Sequence, residues 1–472
     1  MTAVRSSAAL GAALFAVVAL AGTAVANENA AAVPTFNGDV GRILYENCAS
    51  CHREGQVAPM SLTSYQEARP WARAIKTKVV SREMPPWFAD PRFGKFKDVT
   101  ALSQADVDTI AAWADGGAPL GDGPAPELPE FTGDWLHPRP PDYIVEMPIE
   151  VELPAQGELE YLDVWMEYPF DDDVYLEAVQ MRPGNPAVVH HAGIFTRPMP
   201  PGTKLGLEQV HPSGQMIPQP VPINPNEDPA VKLARREAAR EFTPDAQLIF
   251  YRPGGGFNRF PEGTAKLVYS DRNLEFQMHY TLTGRPETDR SVAGFWFAKD
   301  TPRRRMLTVG SGEFGGTGPV RIVEGEEQLE LQAGSGFTRT PNIPPHADDF
   351  RITGIWPVQD DITVYGVWPH MHFRGKDMTY IVVWPDGTEE TLLHVPNYDF
   401  NWQIEYDFVE PLKVPAGSTL KTVGHFDNSI RNRYNPSPDR EVYWGEQSWD
   451  EMFFIFQKYT IDKEDLTKRT SN

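Results

Sequence analysis

The chain has 472 residues, and at about 150 residues per domain that length suggests about three domains. It carries 43 Lys and Arg against 65 Asp and Glu, a net charge of −22, so it lacks the basic footprint of a nucleic-acid binder. Its 44 prolines and 38 glycines imply many turns and short strands and argue against long helical bundles, and its 2 cysteines exclude a disulfide-stapled scaffold.

At the N-terminus, Arg5 precedes an apolar run from Ala8 to Ala21, followed by the small-x-small signal Ala24-Val25-Ala26. Residues 1–26 therefore read as a secretory signal peptide cleaved after Ala26. The run is too short and too Ala-rich to span comfortably, where about 20 apolar residues are needed. The mature chain, from Asn27, is expected to be periplasmic or secreted, with no membrane span after signal removal.

Residues 35–122 carry helical patterns. Val40, Ile43 and Leu44 fall at i, i+3 and i+4. Ser103 is a good N-cap with Asp106 three residues on; Val107, Ile110, Ala111 and Ala114 follow on one face, and Gly116-Gly117 ends the helix. Between these patterns, Cys48-Ala49-Ser50-Cys51-His52 is C-x-x-C-H, the attachment signature of a covalent c-type haem. Two thiols bond the haem vinyls, and the following histidine reaches the iron as proximal ligand. A thioredoxin-like redox pair is the other reading. Export, the absence of further cysteines and the flanking helices favour one haem c.

Met84, in Glu83-Met84-Pro85-Pro86-Trp87, is the expected sixth ligand, because the prolines stiffen its loop and a thioether raises the reduction potential. Met60 competes, but it follows His52 closely and would have to reach the opposite haem face. The order helix, C-x-x-C-H, Met, helix resembles a class I cytochrome c domain. A linker rich in Pro, Gly and acidic residues follows at 123–141.

Beyond it the pattern becomes that of strands. Leu274, Phe276, Met278, Tyr280 and Leu282 alternate with Glu275, Gln277, His279 and Thr281. Tyr380 to Trp384, Pro385-Asp386-Gly387 and Thr391 to Val395 read as a hairpin. The block is large for one sandwich and is divided near Thr301–Arg305, giving 142–300 and 301–465. A helical insert is expected at 229–241, with its basic residues on a solvated face.

Of the 11 histidines, five stand in suggestive settings: His190-His191, His279 in Gln277-Met278-His279-Tyr280, and His370-Met371-His372. H-x-H on a strand points both imidazoles to one face, as a chelate needs. His190 and His191 are adjacent, so sharing one metal requires a twist or bulge there. With no Cys ligands and an exported redox setting, imidazole favours copper over zinc.

Four motifs, in order, are similar to those of the type II copper, ascorbate-dependent monooxygenases: Val189-His190-His191, Gln277-Met278-His279-Tyr280, His370-Met371-His372 with Gly375, and Asp450-Glu451-Met452. That resemblance, to peptidylglycine α-hydroxylating and dopamine β-monooxygenases, covers about residues 142–465. It implies two copper ions. His190, His191 and His279 would hold the electron-transfer copper, and His370, His372 and Met452 the copper that binds O₂. Two imidazoles with a soft thioether favour Cu(I). The expected fold class is accordingly multidomain: a small all-α cytochrome c domain followed by two all-β jelly-roll-like sandwich domains, one copper in each.

The chain departs from that family in two ways. It has no cysteines to spare for the animal enzymes' disulfides. Where peptide-amidating members anchor a substrate carboxylate, the corresponding positions are Trp368, Phe454 and Phe456, so the expected substrate is small and apolar or aromatic. His137, His211, His346, His394 and His425 read as structural. The expected activity is hydroxylation of a C–H bond with O₂, with electrons arriving from a periplasmic donor through the haem. The alternatives are a non-catalytic electron-transfer or copper-binding protein, and a copper oxidase without oxygen insertion.

Overall fold

The structure is a computed structural model that describes residues 32–131, 135–157, 159, 161–198, 206–207, 246–309, 321–324, 342–442 and 447–468. The expected signal peptide, the expected helix at 229–241 and His211 lie outside the described residues. No helix among the described residues is long and apolar enough to cross a membrane.

Four short helices form near the N-terminus: α1 (Gly41–Asn47), α2 (Tyr65–Ala68), α3 (Ala72–Val80) and α4 (Gln104–Asp115). The caps are the ones the sequence offers. The Ser103 hydroxyl accepts from the Asp106 N–H, and that of Ser64 from the Glu67 N–H, each satisfying a donor the helix cannot. Val107, Ile110 and Trp113 of α4 turn inward to meet Phe36, Val40, Ile43, Leu44, Ile75 and Val79 in one apolar cluster.

Among the described residues the remainder forms four larger sheets and a two-stranded ribbon, Val151–Leu153 with Glu287–Asp289. The first runs Tyr143–Glu146, Val292–Phe297, Val174–Arg182, Thr264–Val268, Arg304–Arg305, with Phe257–Arg259 added beside Val174–Arg182. The second runs Gly206–Leu207, Leu162–Met166, Asn273–Tyr280, Val189–Arg197, Gln247–Tyr251. One buried cluster draws on both, including Leu176, Val179, Phe295, Val164, Ile194 and Phe276. The third sheet runs Leu307–Val309, Phe454–Ile461, Ile362–His370, Tyr406–Val414, and the fourth Arg321–Glu324, Phe350–Pro357, Thr419–Phe426, Gly375–Val383, Glu389–Val395. They share a second cluster around Trp356, Val364, Tyr380, Leu393, Phe426 and Tyr459. The chain passes from one cluster to the other at Met306 and Leu307.

This architecture corrects the expected fold class. Strand makes up 36% and helix 12% of the described residues, and the sheets take a four-blade, propeller-like arrangement, so a separate all-α cytochrome c domain followed by two jelly rolls does not form. Residues 87–97 show one physical reason. Their large apolar side chains have no helical face to join, and they are buried in the β region instead. Phe96 packs on Tyr406 and Phe408 with ring centroids 5.4 Å from each, and Trp87 meets Tyr406 at 5.1 Å. The Lys97 N–H donates to the Asp407 carbonyl and the Val409 N–H to the Lys95 carbonyl, so the segment pairs along an otherwise open edge of the third sheet. Residues 135–141, part of the expected linker, are also docked: Trp135 lies edge-on to Trp296 and the Leu136 N–H donates to Gln180 Oε1.

Phe96→Ala removes a buried ring from this seam. It should lower unfolding free energy by about 3–5 kcal/mol, the usual cost of truncating a core phenylalanine. Urea unfolding measures this, and limited proteolysis should show new cleavage between residues 84 and 98. Unchanged stability would show that the segment is not packed as described.

Candidate functional site

The strand Val189–Arg197 pairs antiparallel with Asn273–Tyr280. His279 stands opposite His191, but Tyr280 stands opposite Val189, so His190 is the extra residue of a β-bulge. That is the irregularity two adjacent histidines need if both are to serve one ion. The His190 and His191 rings stack with centroids 4.0 Å apart, and His279 lies 5.1 and 5.6 Å from them. Each of the three offers a ring nitrogen, all within 4.8 Å of one another.

The protonation and tautomers suit a ligand role. Burial pushes His190 down to about 4 and His191 and His279 well below the ordinary value of 6.5, with the neighbouring imidazoles adding to the effect. The imidazoles are therefore neutral at pH 7. His191 Nε2 donates to the Asn401 carbonyl at 3.0 Å, which leaves Nδ1 as its lone-pair nitrogen. Nδ1 of His190 and Nδ1 of His279 are buried with no hydrogen-bond partner. Buried polar atoms left unmatched are costly, and an ion bound between them would satisfy both.

His370 ends the strand Ile362–His370, and Met371-His372 follows in the turn toward Gly375. The His370 and His372 rings lie 5.3 Å apart, both buried. His370 stands opposite Phe454 in the ladder with Phe454–Ile461, which brings Met452, buried and two residues earlier, to the same end of the sheet. A carboxylate ties the two motifs together. Glu451 is buried and accepts from the backbone N–H groups of His372, Arg374 (3.0 Å) and Met452 (3.1 Å). Burial raises its pKa to about 7, against the opposing effect of Arg374 and those three N–H groups. Burial also lowers His370 to about 4 and His372 well below its ordinary value.

The two histidine groups meet through the loop before the strand Tyr406–Val414. His370 Nδ1 donates to Gln403 Oε1 at 2.6 Å, and Gln403 Nε2 approaches His191 Nδ1 at 3.4 Å. The Phe400 ring lies between the groups, 5.3 Å from His191, 5.9 Å from His279 and 5.7 Å from His372. Phe400, Asn401, Gln403 and Glu451 are thus site residues that sequence reasoning gave no role. The first three sit in an aperiodic loop, and their effect depends on contacts across more than 200 positions for His191. Trp368, Phe454 and Phe456 form an aromatic wall beside His370: Trp368 stacks on Phe456 at 4.3 Å and Phe454 on His370 at 5.5 Å. Phe250 extends it, 4.5 Å from Trp368 and 5.7 Å from His191.

At the C-x-x-C-H motif, the N–H groups of Cys51 and His52 both point to the Cys48 carbonyl, closing a tight turn after α1. His52 Nδ1 lies 3.2 Å from the Met60 carbonyl, a contact that leaves Nε2 for a metal, and burial lowers its pKa. Met60 is therefore bound to the far edge of the His52 ring. Cys48 and Cys51 are free thiols, with Cys48 pushed up to about 12 by burial. Met84 follows α3, its N–H donating to the Lys78 carbonyl at 3.2 Å. The remaining described histidines make local contacts: His425 Nδ1 with Asp377 at 2.8 Å, His394 Nδ1 with Thr379 at 2.8 Å, His346 with Asp439 at 3.2 Å, and His137 against the Trp296 ring.

No protein-family model matches the chain, and no curated protein matches it. Among solved structures, one of PNGF-II in the P21 space group aligns at 9% identity with a TM-score of 0.24. The alignment covers 67% of this chain and 65% of that one, less than two thirds of its length. At that score it carries no argument about fold or activity.

The depressed histidines set a pH dependence for the metal-free chain. Unfolded histidines take up protons near 6.5, whereas the folded His190 and His370 resist protonation down to about 4. Below 6.5 the unfolded state binds more protons, so stability falls as pH drops toward 4. Thermal unfolding between pH 7 and 4.5 should show this decline. It should be shallower in His279→Gln, and an identical slope in that variant would contradict the burial described.

Proposed function

We propose that this chain is an exported, copper- and haem-dependent monooxygenase that hydroxylates a C–H bond of a small apolar or aromatic substrate with O₂. The observation that supports this most is the convergence of two histidine sets on Phe400 and Gln403, with ring nitrogens of His190, His279 and His372 buried and unmatched. The order of motifs, similar to that of the type II copper monooxygenases, supports the same reading. Copper at each set and a haem on Cys48, Cys51 and His52 would supply O₂ activation and electron delivery when bound.

The chain's own residues would do the rest. His190, His191 and His279 present three neutral imidazoles, a donor set suited to copper in either oxidation state. Asn401 fixes the His191 tautomer, and Gln403 fixes that of His370 by accepting from Nδ1. Glu451 holds the backbone of His372 and Met452 together, so the thioether is carried with the two imidazoles as one unit. Trp368, Phe454 and Phe456 surround His370 with ring surface that excludes water and offers no charged anchor. A hydrocarbon suits that wall better than a carboxylate. Electrons would come from a periplasmic donor.

The test uses the full, copper- and haem-loaded chain, a reductant and a panel of alkylbenzenes under labelled O₂. One labelled oxygen in the product is expected, and His372→Ala should reduce its formation at least 100-fold while leaving copper at the other set. An active chain that places no label in product is an oxidase. Hydroxylation by His372→Ala at the wild-type rate would sink the proposal.

A further inference from the structure

The turn that follows the strand Gln247–Tyr251 lies against the C-x-x-C-H motif. Gly254 has φ of +76°, a conformation that suits glycine, and a Cβ built there would lie 3.6 Å from Cys51 Sγ and 3.9 Å from Arg252 Nη1. The Cys51 sulfur and the Arg252 guanidinium therefore flank one small open space. The turn is held in place: the Gly255 N–H donates to the Arg252 carbonyl at 2.8 Å and the Met181 N–H to the Gly256 carbonyl at 2.8 Å.

Arg252 is half-buried, and its Nη1 donates to the Pro253 carbonyl at 3.1 Å. The nearby Glu405 is engaged by Lys458 at 3.1 Å, and no carboxylate among the described residues pairs with Arg252. Its positive charge thus stands near Cys51 without a direct ion pair, with Glu405 its nearest opposing charge. Two residues earlier, on the same strand, Phe250 lies 5.7 Å from His191. A short piece of backbone, 250 to 254, joins the surroundings of the histidine triad to the haem-attachment cysteine.

We propose that Arg252 and the Pro253–Gly256 turn seat the thioether edge of the haem, and that the Arg252 cation raises its reduction potential. This rests on the reading of Cys48-Ala49-Ser50-Cys51-His52 as a haem attachment site. A fixed positive charge in a partly desolvated setting favours the electron-rich state of a neighbouring redox centre. The missing side chain at Gly254 leaves room for the macrocycle edge bonded to Cys51. An electron crossing this seam would oxidise ferrous to ferric iron and reduce Cu(II) at His190, His191 and His279 to Cu(I); no bond breaks and no proton moves. Arg252 is a positioning and tuning residue here.

Potentiometric titration of the haem absorbance tests this on the full, haem-loaded chain and on Arg252→Gln and Arg252→Lys, with covalent haem content measured on the same samples. Arg252→Gln should lower the midpoint potential beyond replicate scatter, and Arg252→Lys should keep most of the wild-type value. A merely structural role would not be rescued by lysine in this way. Covalent haem with an unchanged potential in Arg252→Gln would overturn the inference and leave the haem reading intact. A wild-type chain that attaches no haem in a cytochrome-maturing host would sink both.

Discussion

The histidine-lined interior depends on one extra residue in one β-ladder. In a regular strand His190 and His191 would face opposite sides of the sheet. The bulge between the strands Val189–Arg197 and Asn273–Tyr280 turns both to the face that meets the Phe400–Gln403 loop and sets them against His279 from the neighbouring strand. Without that irregularity the second sheet would present His191 and His279 on the face turned away from the Phe276, Met278 and Ile194 cluster, and His190 on the other. With it, three neutral rings share a small volume. The cost is borne locally, as desolvated nitrogens without partners, and it would be offset when an ion is bound.

The second histidine set is organised differently, by a buried carboxylate and an amide. Glu451 draws the turn after Ile362–His370 and the segment before Phe454–Ile461 onto the same point. Gln403 accepts from His370, and its Nε2 stands 3.4 Å from His191 Nδ1, so the two sets border one interior although they come from different sheets. Low dielectric makes such a network strong when complete and costly when broken. That coupling explains why the loop carrying Phe400, Asn401 and Gln403 matters despite lacking any regular structure.

Local features were legible in the sequence. The alternation from Leu274 to Leu282 marks the strand Asn273–Tyr280, the Ser103 cap marks α4, and Pro385-Asp386-Gly387 marks the turn between Gly375–Val383 and Glu389–Val395. That His190 and His191 need a twist or bulge to serve one ion also followed from residue spacing alone. The assembly did not. Trp87, Phe88 and Phe96 lie in a Pro-rich stretch with no periodicity, and nothing local says that their rings join the β core. The sheet arrangement rests on pairings such as Leu307–Val309 with Phe454–Ile461, whose register no nearby residue specifies. Asn401 and Gln403 escaped notice for the same reason: an amide in a loop gains meaning only from the histidine it meets.

The claim on which the account turns is that this interior holds copper beside a covalently attached haem. The copper-to-iron ratio of the mature, haem-loaded chain, after mild copper reconstitution and desalting, tests it most directly. The account predicts two coppers per iron. Iron with no retained copper would contradict it, leaving a haem protein whose buried histidines pack without a metal.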